Sequence, residues 1–256
     1  MTHLKHFLLV LSVLVPLSLC CGQASYIPVS SKLASRTLML TSDHGAHSGT
    51  AFVIAYNGKH LVVTAKHLFP ETSKETEVGV MTTKGWSFAK QTVWYSPNQD
   101  LAILPDLPLP PTPNHDGDVK LCEGQLGLNQ DFIFLGFPLG QKSPTDGTAF
   151  SETGIPLIKS ASLAGMVFVE PGVRIYLLDG MNVHGVSGGP LLTKIDAGPG
   201  ICLAGVISGY ESDPVHLLND AGQESVLVVP AKSELVIAVP FGEVEKLIAE
   251  HTSATH

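Results

Sequence analysis

The sequence predicts an all-β protein built from two similar β units joined by an extended strap. Apolar segments of four to eight residues, rich in Val, Ile and Leu, recur from Thr37 to Pro240 between Gly, Pro, Asn or Asp residues. Many short strands without intervening helices favour barrels or sandwiches over a parallel α/β sheet. A proline-rich segment at residues 105–113 separates the strands into two sets.

The clearest local signal is a hairpin at Asn57 and Gly58, which tolerate the positive φ of a two-residue type I′ turn. We expect residues 49–56 and 59–64 to be its two strands. The other predicted strands are residues 77–81, 91–95, 101–104, 132–137, 163–170, 174–178, 191–193, 202–208, 225–229 and 235–239.

Five of the nine residues from Pro105 to Pro113 are proline, so this segment has too few amide donors to lie inside a sheet. It predicts a stiff linker at residues 105–117 between an N-terminal β unit, residues 25–104, and a C-terminal β unit, residues 118–240. Residues 241–256 form a helix and tail, because Val244, Leu247 and Ile248 fall on one helical face.

Composition excludes several classes of protein. The chain has 256 residues, of which 44% are hydrophobic and 15% are charged, with 25 Gly and 18 Pro that follow no period. This is a globular composition, and it excludes disordered, collagen-like and coiled-coil chains. The net charge is −8 and the sequence contains no basic cluster, so we expect no nucleic-acid partner.

The N-terminus predicts an exported protein. The apolar run at residues 7–19 would rise about 20 Å as a helix, against about 30 Å for a hydrocarbon core. It is therefore expected to be a secretory leader, residues 1–24, cut near Ala24 and leading to the periplasm or the outside. Cys20 or Cys21 stands where a bacterial lipoprotein carries its lipid, so a membrane anchor is an alternative, although Leu19 fits that signal poorly.

Two cysteines, Cys122 and Cys202, lie beyond the leader and about 80 residues apart. In an oxidising compartment they could form a disulfide. Two small buried thiols are the alternative, because the sequence does not show whether the Cα atoms lie within bonding range. Both interpretations stay open at this point.

A glycine-rich segment at residues 184–190, HGVSGGP, surrounds Ser187. Glycines on both sides of a serine allow a tight exposed turn, in which nearby N–H groups can stabilise an oxyanion. A serine hydroxyl is inert at neutral pH without a general base, and that base needs an acceptor for its other ring nitrogen. The segment therefore predicts a nucleophile that depends on a histidine and a carboxylate.

His67 is the favoured base among the eleven histidines, because it follows the predicted strand 59–64 and a strand end holds a side chain rigidly. Asp100 directly precedes the predicted strand 101–104 in the same half of the chain, which fits the orienting carboxylate. His184 is the alternative base, but a short loop rarely aims two of its own side chains at each other.

Three segments in this order resemble the trypsin-like, chymotrypsin-fold serine proteases: residues 64–67 (TAKH), 100–104 (DLAIL) and 185–190 (GVSGGP). The order His, Asp, Ser distinguishes this family from subtilisins and α/β-hydrolases. Further segments are similar to the bacterial HtrA-like branch: residues 48–52 (SGTAF), 135–140 (LGFPLG), 205–209 (GVISG) and 237–240 (IAVP). The resemblance covers about residues 36 to 250, and no PDZ module is expected after the helix.

The resemblance implies two antiparallel six-stranded-type β-barrels with the active site in the cleft between them. It implies that Ser187 attacks the substrate carbonyl, that His67 takes and returns the proton, and that Asp100 orients the imidazole. The backbone N–H groups of Gly185 and Ser187 would bind the oxyanion, and Ser208 matches the family serine that supports the aspartate.

The sequence departs from the basic-specific family members at Met181, which stands where they carry an aspartate at the floor of the substrate pocket. We therefore expect selection for an apolar or small side chain rather than Lys or Arg. Tyr210 is expected on the wall of the same pocket.

These features predict an exported serine endopeptidase that acts on polypeptides without a cofactor or a metal. Asp43, His44 and His47 lie in a polar loop without a fourth ligand at a recognisable spacing, which indicates a solvated loop rather than a metal site. A catalytically silent binding module of the same fold and an esterase using the same three residues are the alternatives.

Overall fold

The computed structural model describes residue 27 and residues 29–69, 75–82, 84–108, 120–122, 126–138, 154–181, 183–194, 200–218 and 224–253. The predicted leader, its two cysteines and most of the predicted linker lie outside the described residues. Among the described residues, no helix is long and apolar enough to cross a membrane.

The described chain consists of fourteen strands and two α-helices. In chain order they are α1 (Ser31–Ala34), β1 (Thr37–Ser42), β2 (His47–Tyr56), β3 (Lys59–Thr64), β4 (Glu75–Thr82), β5 (Gly85–Thr92), β6 (Trp94–Tyr95), β7 (Ala102–Leu104), β8 (Lys120–Leu121), β9 (Asp131–Gly136), β10 (Leu157–Glu170), β11 (Val173–Asp179), β12 (Pro190–Lys194), β13 (Ile201–Leu218), β14 (Glu224–Pro240) and α2 (Phe241–Ser253). Two 3₁₀ turns, Asp43–Gly45 and Lys66–Leu68, follow β1 and β3.

The first sheet contains seven strands in the order β5-β4-β1-β2-β3-β7-β6, and all of its pairings are antiparallel. Its predicted hairpin is confirmed, because β2 and β3 pair from Tyr56 and Lys59 onward. Asn57 and Gly58 have φ angles of 48° and 74°, as a type I′ turn requires.

The second sheet closes on itself. Its order is β12-β9-β10-β11-β14-β13-β8, and β12 also pairs with β13, so six strands form a ring with β8 attached outside. These six strands pair antiparallel, and β8 runs parallel to β13. The predicted fold class is confirmed: the chain is all-β with two barrel-like sheets and a C-terminal helix.

Some predicted strand bounds were wrong. Residues 91–95 are not one strand, because the chain breaks at Val93 between β5 and β6. The predicted strands 225–229 and 235–239 are one continuous strand, β14. Pro230 lies in the part of β14 that pairs with β13 alone, because β14 pairs with β11 only from Leu235 onward, and a residue without an N–H is tolerated there.

A buried apolar cluster joins the two sheets. Its members come from the N-terminal segment, from both sheets and from α2: Ile27, Leu33, Phe52, Ile54, Leu61, Val63, Leu101, Ile103, Ile133, Leu135, Leu192, Leu203, Val206, Val239, Phe241, Val244, Leu247 and Ile248. The apolar face predicted for the C-terminal helix is therefore confirmed as buried. Near the end of α2, His251 stacks on Trp94 of the first sheet with ring centroids 4.8 Å apart. The helix therefore follows the second sheet in the chain and packs against both sheets.

Cys122 and Cys202 form a disulfide, with Cα atoms 4.9 Å apart. This resolves the alternative that the sequence left open. The parallel pairing of Lys120 with Cys202 and of Leu121 with Leu203 brings the two cysteines together. The bond closes a loop across 80 residues, which in the chain-entropy description is worth about 4.5 kcal/mol of stability.

Candidate active site

The register of the first sheet brings His67 and Asp100 together. In the antiparallel pair of β3 and β7, Thr64 lies opposite Ala102. His67 lies in the 3₁₀ turn that follows β3, and Asp100 stands two residues before β7 begins. An antiparallel pair places the end of one strand beside the start of the next, so both side chains project from the same end of the pair.

The Asp100 carboxylate makes three close hydrogen bonds. Oδ1 accepts the backbone N–H of His67 at 2.8 Å, and Oδ2 lies 2.7 Å from His67 Nδ1. Oδ2 also accepts the Ser208 hydroxyl at 2.5 Å. Because an ionised carboxylate only accepts hydrogen bonds, Nδ1 of His67 carries a proton, and in the neutral imidazole Nε2 then has a lone pair.

The environment of Asp100 keeps it charged. Burial by itself would raise the pKa of Asp100, but the hydrogen bond and the charge of His67, together with the bond from Ser208, hold the pKa below its ordinary value of 3.8. The side chain of Asp100 is 27% exposed and that of His67 is 49% exposed. The pair therefore presents an accessible imidazole backed by a more buried anion.

The segment before Asp100 is held from two directions. Lys66 Nζ donates to the Ser96 carbonyl at 2.8 Å, next to His67. The side chain of Gln99 is buried, and its Nε2 donates to the Arg174 carbonyl of β11 at 3.1 Å. The Lys66 bond ties the segment that carries Asp100 to the turn of His67, and the Gln99 bond ties it to the second sheet.

Ser187 lies in the turn between β11 and β12, where the predicted glycines prove sterically necessary. Gly188 has φ 84°, and a Cβ added there would stand 2.0 Å from the Thr50 carbonyl oxygen and 2.2 Å from Thr64 Oγ1. A Cβ on Gly189 would stand 2.1 Å from the Leu135 carbonyl oxygen. No side chain can be accommodated at either position without moving backbone.

Hydrogen bonds to both sheets fix this turn. The Ser187 carbonyl accepts the Thr50 N–H of β2 at 2.8 Å. On the other side, the Gly188 N–H donates to the Ile207 carbonyl at 2.6 Å, and the Ile207 N–H donates to the Gly189 carbonyl at 2.8 Å. Ser208, the next residue of β13, is the one whose hydroxyl reaches Asp100. β13 therefore contacts both the Ser187 turn and the carboxylate.

Two N–H groups in this turn stand out. Val186, Gly188 and Gly189 each donate a backbone hydrogen bond, to Val183, Ile207 and Val186 respectively. Within the part of the chain that the structure describes, no acceptor takes the N–H of Gly185 or of Ser187. Among the described residues, the Ser187 hydroxyl and His67 Nε2 are not hydrogen-bonded to each other. In enzymes without bound substrate, catalytic hydrogen bonds are often long or poorly aligned.

The remaining candidate residues lie around the turn. Met181 follows β11 and is 66% exposed. Tyr210 is half-buried on β13, and its ring meets the ring of His184 edge-on with centroids 5.9 Å apart. The roles of Met181 and Tyr210 in a substrate pocket stay predictions.

The loop with Asp43, His44 and His47 is solvated at its tip. His44 is exposed, and its Nδ1 lies 2.7 Å from Glu77 Oε2 on β4. In the described residues, no three His, Cys, Asp or Glu side chains are grouped as a metal site would require.

Sequence reasoning missed two residues that structure the site, Thr50 and Thr64. Both are fully buried, and the Thr64 hydroxyl donates to the Thr50 carbonyl at 2.7 Å. Thr50 lies in the segment 48–52 that carried part of the family resemblance, so the signal was present without an assigned role.

Comparison with known proteins agrees with this fold. Residues 49–197 match the family model described as the trypsin-like peptidase domain. Among solved structures, the Rv3671c protease of M. tuberculosis in its inactive form is similar, with 22% identity over 88% of this chain and 92% of that chain, and a TM-score of 0.53. A serine endoprotease from Yersinia pestis is similar with 15% identity over 88% of this chain and 67% of that chain, and a TM-score of 0.52. No curated protein matches the chain significantly.

The two barrel-like sheets and the turn between β11 and β12 define a peptidase of chymotrypsin-like fold. The matched family model spans more than half of the chain, and the chain belongs to the trypsin-like peptidase domain family. This confirms the family resemblance of the sequence. The HtrA-like branch within it stays a prediction.

The lowered pKa of Asp100 predicts a pH-dependent stability. An aspartate of lowered pKa stabilises the folded state above its ordinary pKa of 3.8, and that contribution is lost as the pH falls through the lower folded value. We expect the melting temperature of the wild type to exceed that of Asp100→Asn at neutral pH, and the difference to shrink below about pH 4. Thermal unfolding of both proteins down to about pH 2 measures this. A difference that stays constant or widens on acidification contradicts the prediction.

Proposed function

We propose that this peptidase is a serine endopeptidase in which Ser187 is the nucleophile, His67 the general base and Asp100 the residue that orients it. The observation that carries the proposal is the hydrogen-bonded set of His67, Asp100 and Ser208. It involves the same strand, β13, that bonds to the turn of Ser187. A base whose Nδ1 is held by a carboxylate has its Nε2 available to deprotonate a serine.

The proposed reaction proceeds through an acyl-enzyme. Ser187 Oγ forms a bond to the scissile carbonyl carbon as its proton passes to His67 Nε2. The carbonyl oxygen becomes the oxyanion of a tetrahedral intermediate. The C–N bond then breaks, and the leaving amine takes the proton from His67. Water, deprotonated by the same imidazole, attacks the resulting ester, the ester C–O bond breaks, and the imidazolium returns the proton to Ser187 Oγ as the acid product forms.

The backbone N–H groups of Gly185 and Ser187 are the proposed oxyanion donors. What supports this is that both lack an acceptor within the described residues, whereas their neighbours in the turn are bonded. The left-handed φ of 96° at Gly185 is a conformation that glycine adopts without strain. Loss of one such donor typically removes about 3–4 kcal/mol of transition-state stabilisation.

A fluorophosphonate probe, which reacts with activated serines, tests the proposed triad. We expect the wild type to be labelled, and Ser187→Ala and His67→Ala to lose labelling and peptide hydrolysis by about 10⁴-fold or more. Ser160→Ala and His44→Ala change an exposed serine and an exposed histidine outside the site, and should behave as the wild type does.

Each result has a distinct meaning. Absence of labelling in a folded wild type would remove the enzyme proposal and favour a binding module of the same fold. Labelling with cleavage of short esters but not of casein peptides would indicate an esterase.

We also propose that the enzyme cleaves after apolar or small residues. Met181 offers no carboxylate to pair with a lysine or arginine of the substrate. Cleavage of a peptide library by the wild type should show no preference for Lys or Arg, and Met181→Asp should shift cleavage toward them. A wild type that prefers basic residues contradicts this assignment of Met181.

Export is the third part of the proposal. The disulfide between Cys122 and Cys202 supports it, because such bonds persist in oxidising compartments and are rare in a reducing cytosol. Mass spectrometry of the protein from its native source should show a chain that begins near Ser25 and carries one disulfide. A chain that begins at an acylated Cys20 or Cys21 would indicate a lipid anchor, and a chain that still carries the leader would contradict export.

A further inference from the structure

We infer that Thr50 is a positioning residue for the reaction, and that its buried hydroxyl holds the turn from Gly185 to Ser187 in the conformation that stabilises the oxyanion. This inference rests on the proposed function, because it assumes that the N–H groups of this turn bind the oxyanion. It adds a residue that lies on the opposite sheet and does not touch the substrate.

The Thr50 hydroxyl makes two hydrogen bonds in a fully buried place. Oγ1 donates to the Gly185 carbonyl at 2.6 Å and accepts the Phe137 N–H at 3.1 Å. The hydroxyl therefore joins the turn of the proposed nucleophile to the end of β9. A Cβ on Gly136, the residue before Phe137, would stand 2.9 Å from the same oxygen, so a glycine is needed for this approach.

The backbone of Thr50 holds the other end of the same turn. Its N–H donates to the Ser187 carbonyl at 2.8 Å. Its carbonyl accepts the Thr64 hydroxyl at 2.7 Å and lies against Gly188. One residue of β2 thus fixes both the Gly185 carbonyl and the Ser187 carbonyl, and its own backbone is tied to β3.

Because peptides are planar, these two bonds control the direction of one proposed oxyanion donor, the Ser187 N–H. The Gly185 carbonyl belongs to the peptide that joins Gly185 to Val186, and the Ser187 carbonyl belongs to the peptide that joins Ser187 to Gly188. Because each peptide is planar, fixing its carbonyl fixes its plane. The Ser187 N–H lies in the one peptide between these two planes, so its direction follows from both.

Gly185 makes this control necessary. A glycine visits several φ and ψ regions at nearly equal cost, so the turn would be free to rearrange at this position without a tether. Donors aimed in advance at the developing charge are what makes an oxyanion hole effective. The hydrogen bond from the Thr50 hydroxyl to the Gly185 carbonyl is this tether. Because Thr50 is fully buried, water cannot easily take the place of its hydroxyl.

The test compares Thr50→Val, which keeps the shape and removes the hydroxyl, with Thr50→Ser, which keeps the hydroxyl. We expect Thr50→Val to lower kcat by up to about 100-fold with little change in KM, because a misplaced group costs transition-state rather than ground-state binding. The inhibition constant of a peptide aldehyde, which forms a tetrahedral adduct, should rise by the same factor. Thr50→Ser should restore most of both.

Thr41→Val is the matched control. Thr41 is also fully buried, and its hydroxyl also donates to one partner, the His47 carbonyl at 2.8 Å, and accepts from another, Ser48 Oγ at 3.1 Å. It belongs to the same sheet but bonds to no residue of the turn. Thr41→Val should lose stability with no change in kcat or in aldehyde binding.

Several outcomes would overturn the inference. Thr50→Val with wild-type kcat and aldehyde affinity would do so, as would Thr50→Ser behaving like Thr50→Val, or Thr41→Val losing as much kcat as Thr50→Val. If Thr50→Val does not fold, Thr50→Cys carries the comparison, because its thiol is a weaker donor and the same changes should follow in smaller measure. A folded wild type that neither cleaves peptides nor reacts with the fluorophosphonate probe would instead overturn the proposed function, together with this inference.

Discussion

The site depends on a contact between backbones that leaves no room for side chains. Gly188 lies against the Thr50 carbonyl, and Gly189 lies against the Leu135 carbonyl, at distances that a Cβ would reduce to about 2 Å. At Gly188 the turn between β11 and β12 meets β2 of the first sheet, whereas Gly189 packs the same turn against β9 of its own sheet. Apolar burial drives the two sheets together, but a nonspecific force does not fix their relative position. The glycines and the hydrogen bonds around Thr50 fix it at the candidate active site.

This contact explains why several short motifs occur in one chain. The segments 48–52, 135–140 and 185–190 are far apart in sequence, and the Thr50 hydroxyl bonds to one residue from each of the other two, Phe137 and Gly185. The strand β13 plays the corresponding part on the second sheet. Ile207 bonds to the turn and Ser208 bonds to Asp100, so one strand holds both the turn and the carboxylate. The geometry of the site is therefore a property of the docked sheets rather than of either sheet alone.

Features that depend on residues close together in the sequence could be predicted, and features that depend on distant pairings could not. The hairpin at Asn57 and Gly58 and the apolar face of α2 depend on neighbouring residues, and both were predicted correctly. His67 and Asp100 could be selected as strand-end residues, because one antiparallel register brings them together. The disulfide stayed undecided, because Cys122 and Cys202 are 80 residues apart in the sequence and only the parallel pairing of β8 with β13 brings them together. The tether at Thr50 could not be predicted, because its partners come from the other sheet.

The two sheets supply different parts of the site. Asp100 lies deeper than His67, and its charge is retained there because the cost of desolvation is outweighed by the hydrogen bonds that His67 and Ser208 supply. The anion in turn holds Nδ1 of the imidazole and leaves Nε2 at the accessible side. The first sheet thus supplies a preoriented imidazole, and Ser208 of the second sheet supports the charge of Asp100. The second sheet supplies the glycine-rich turn, and Thr50 of the first sheet supports its shape. Each sheet therefore stabilises the group that the other sheet presents.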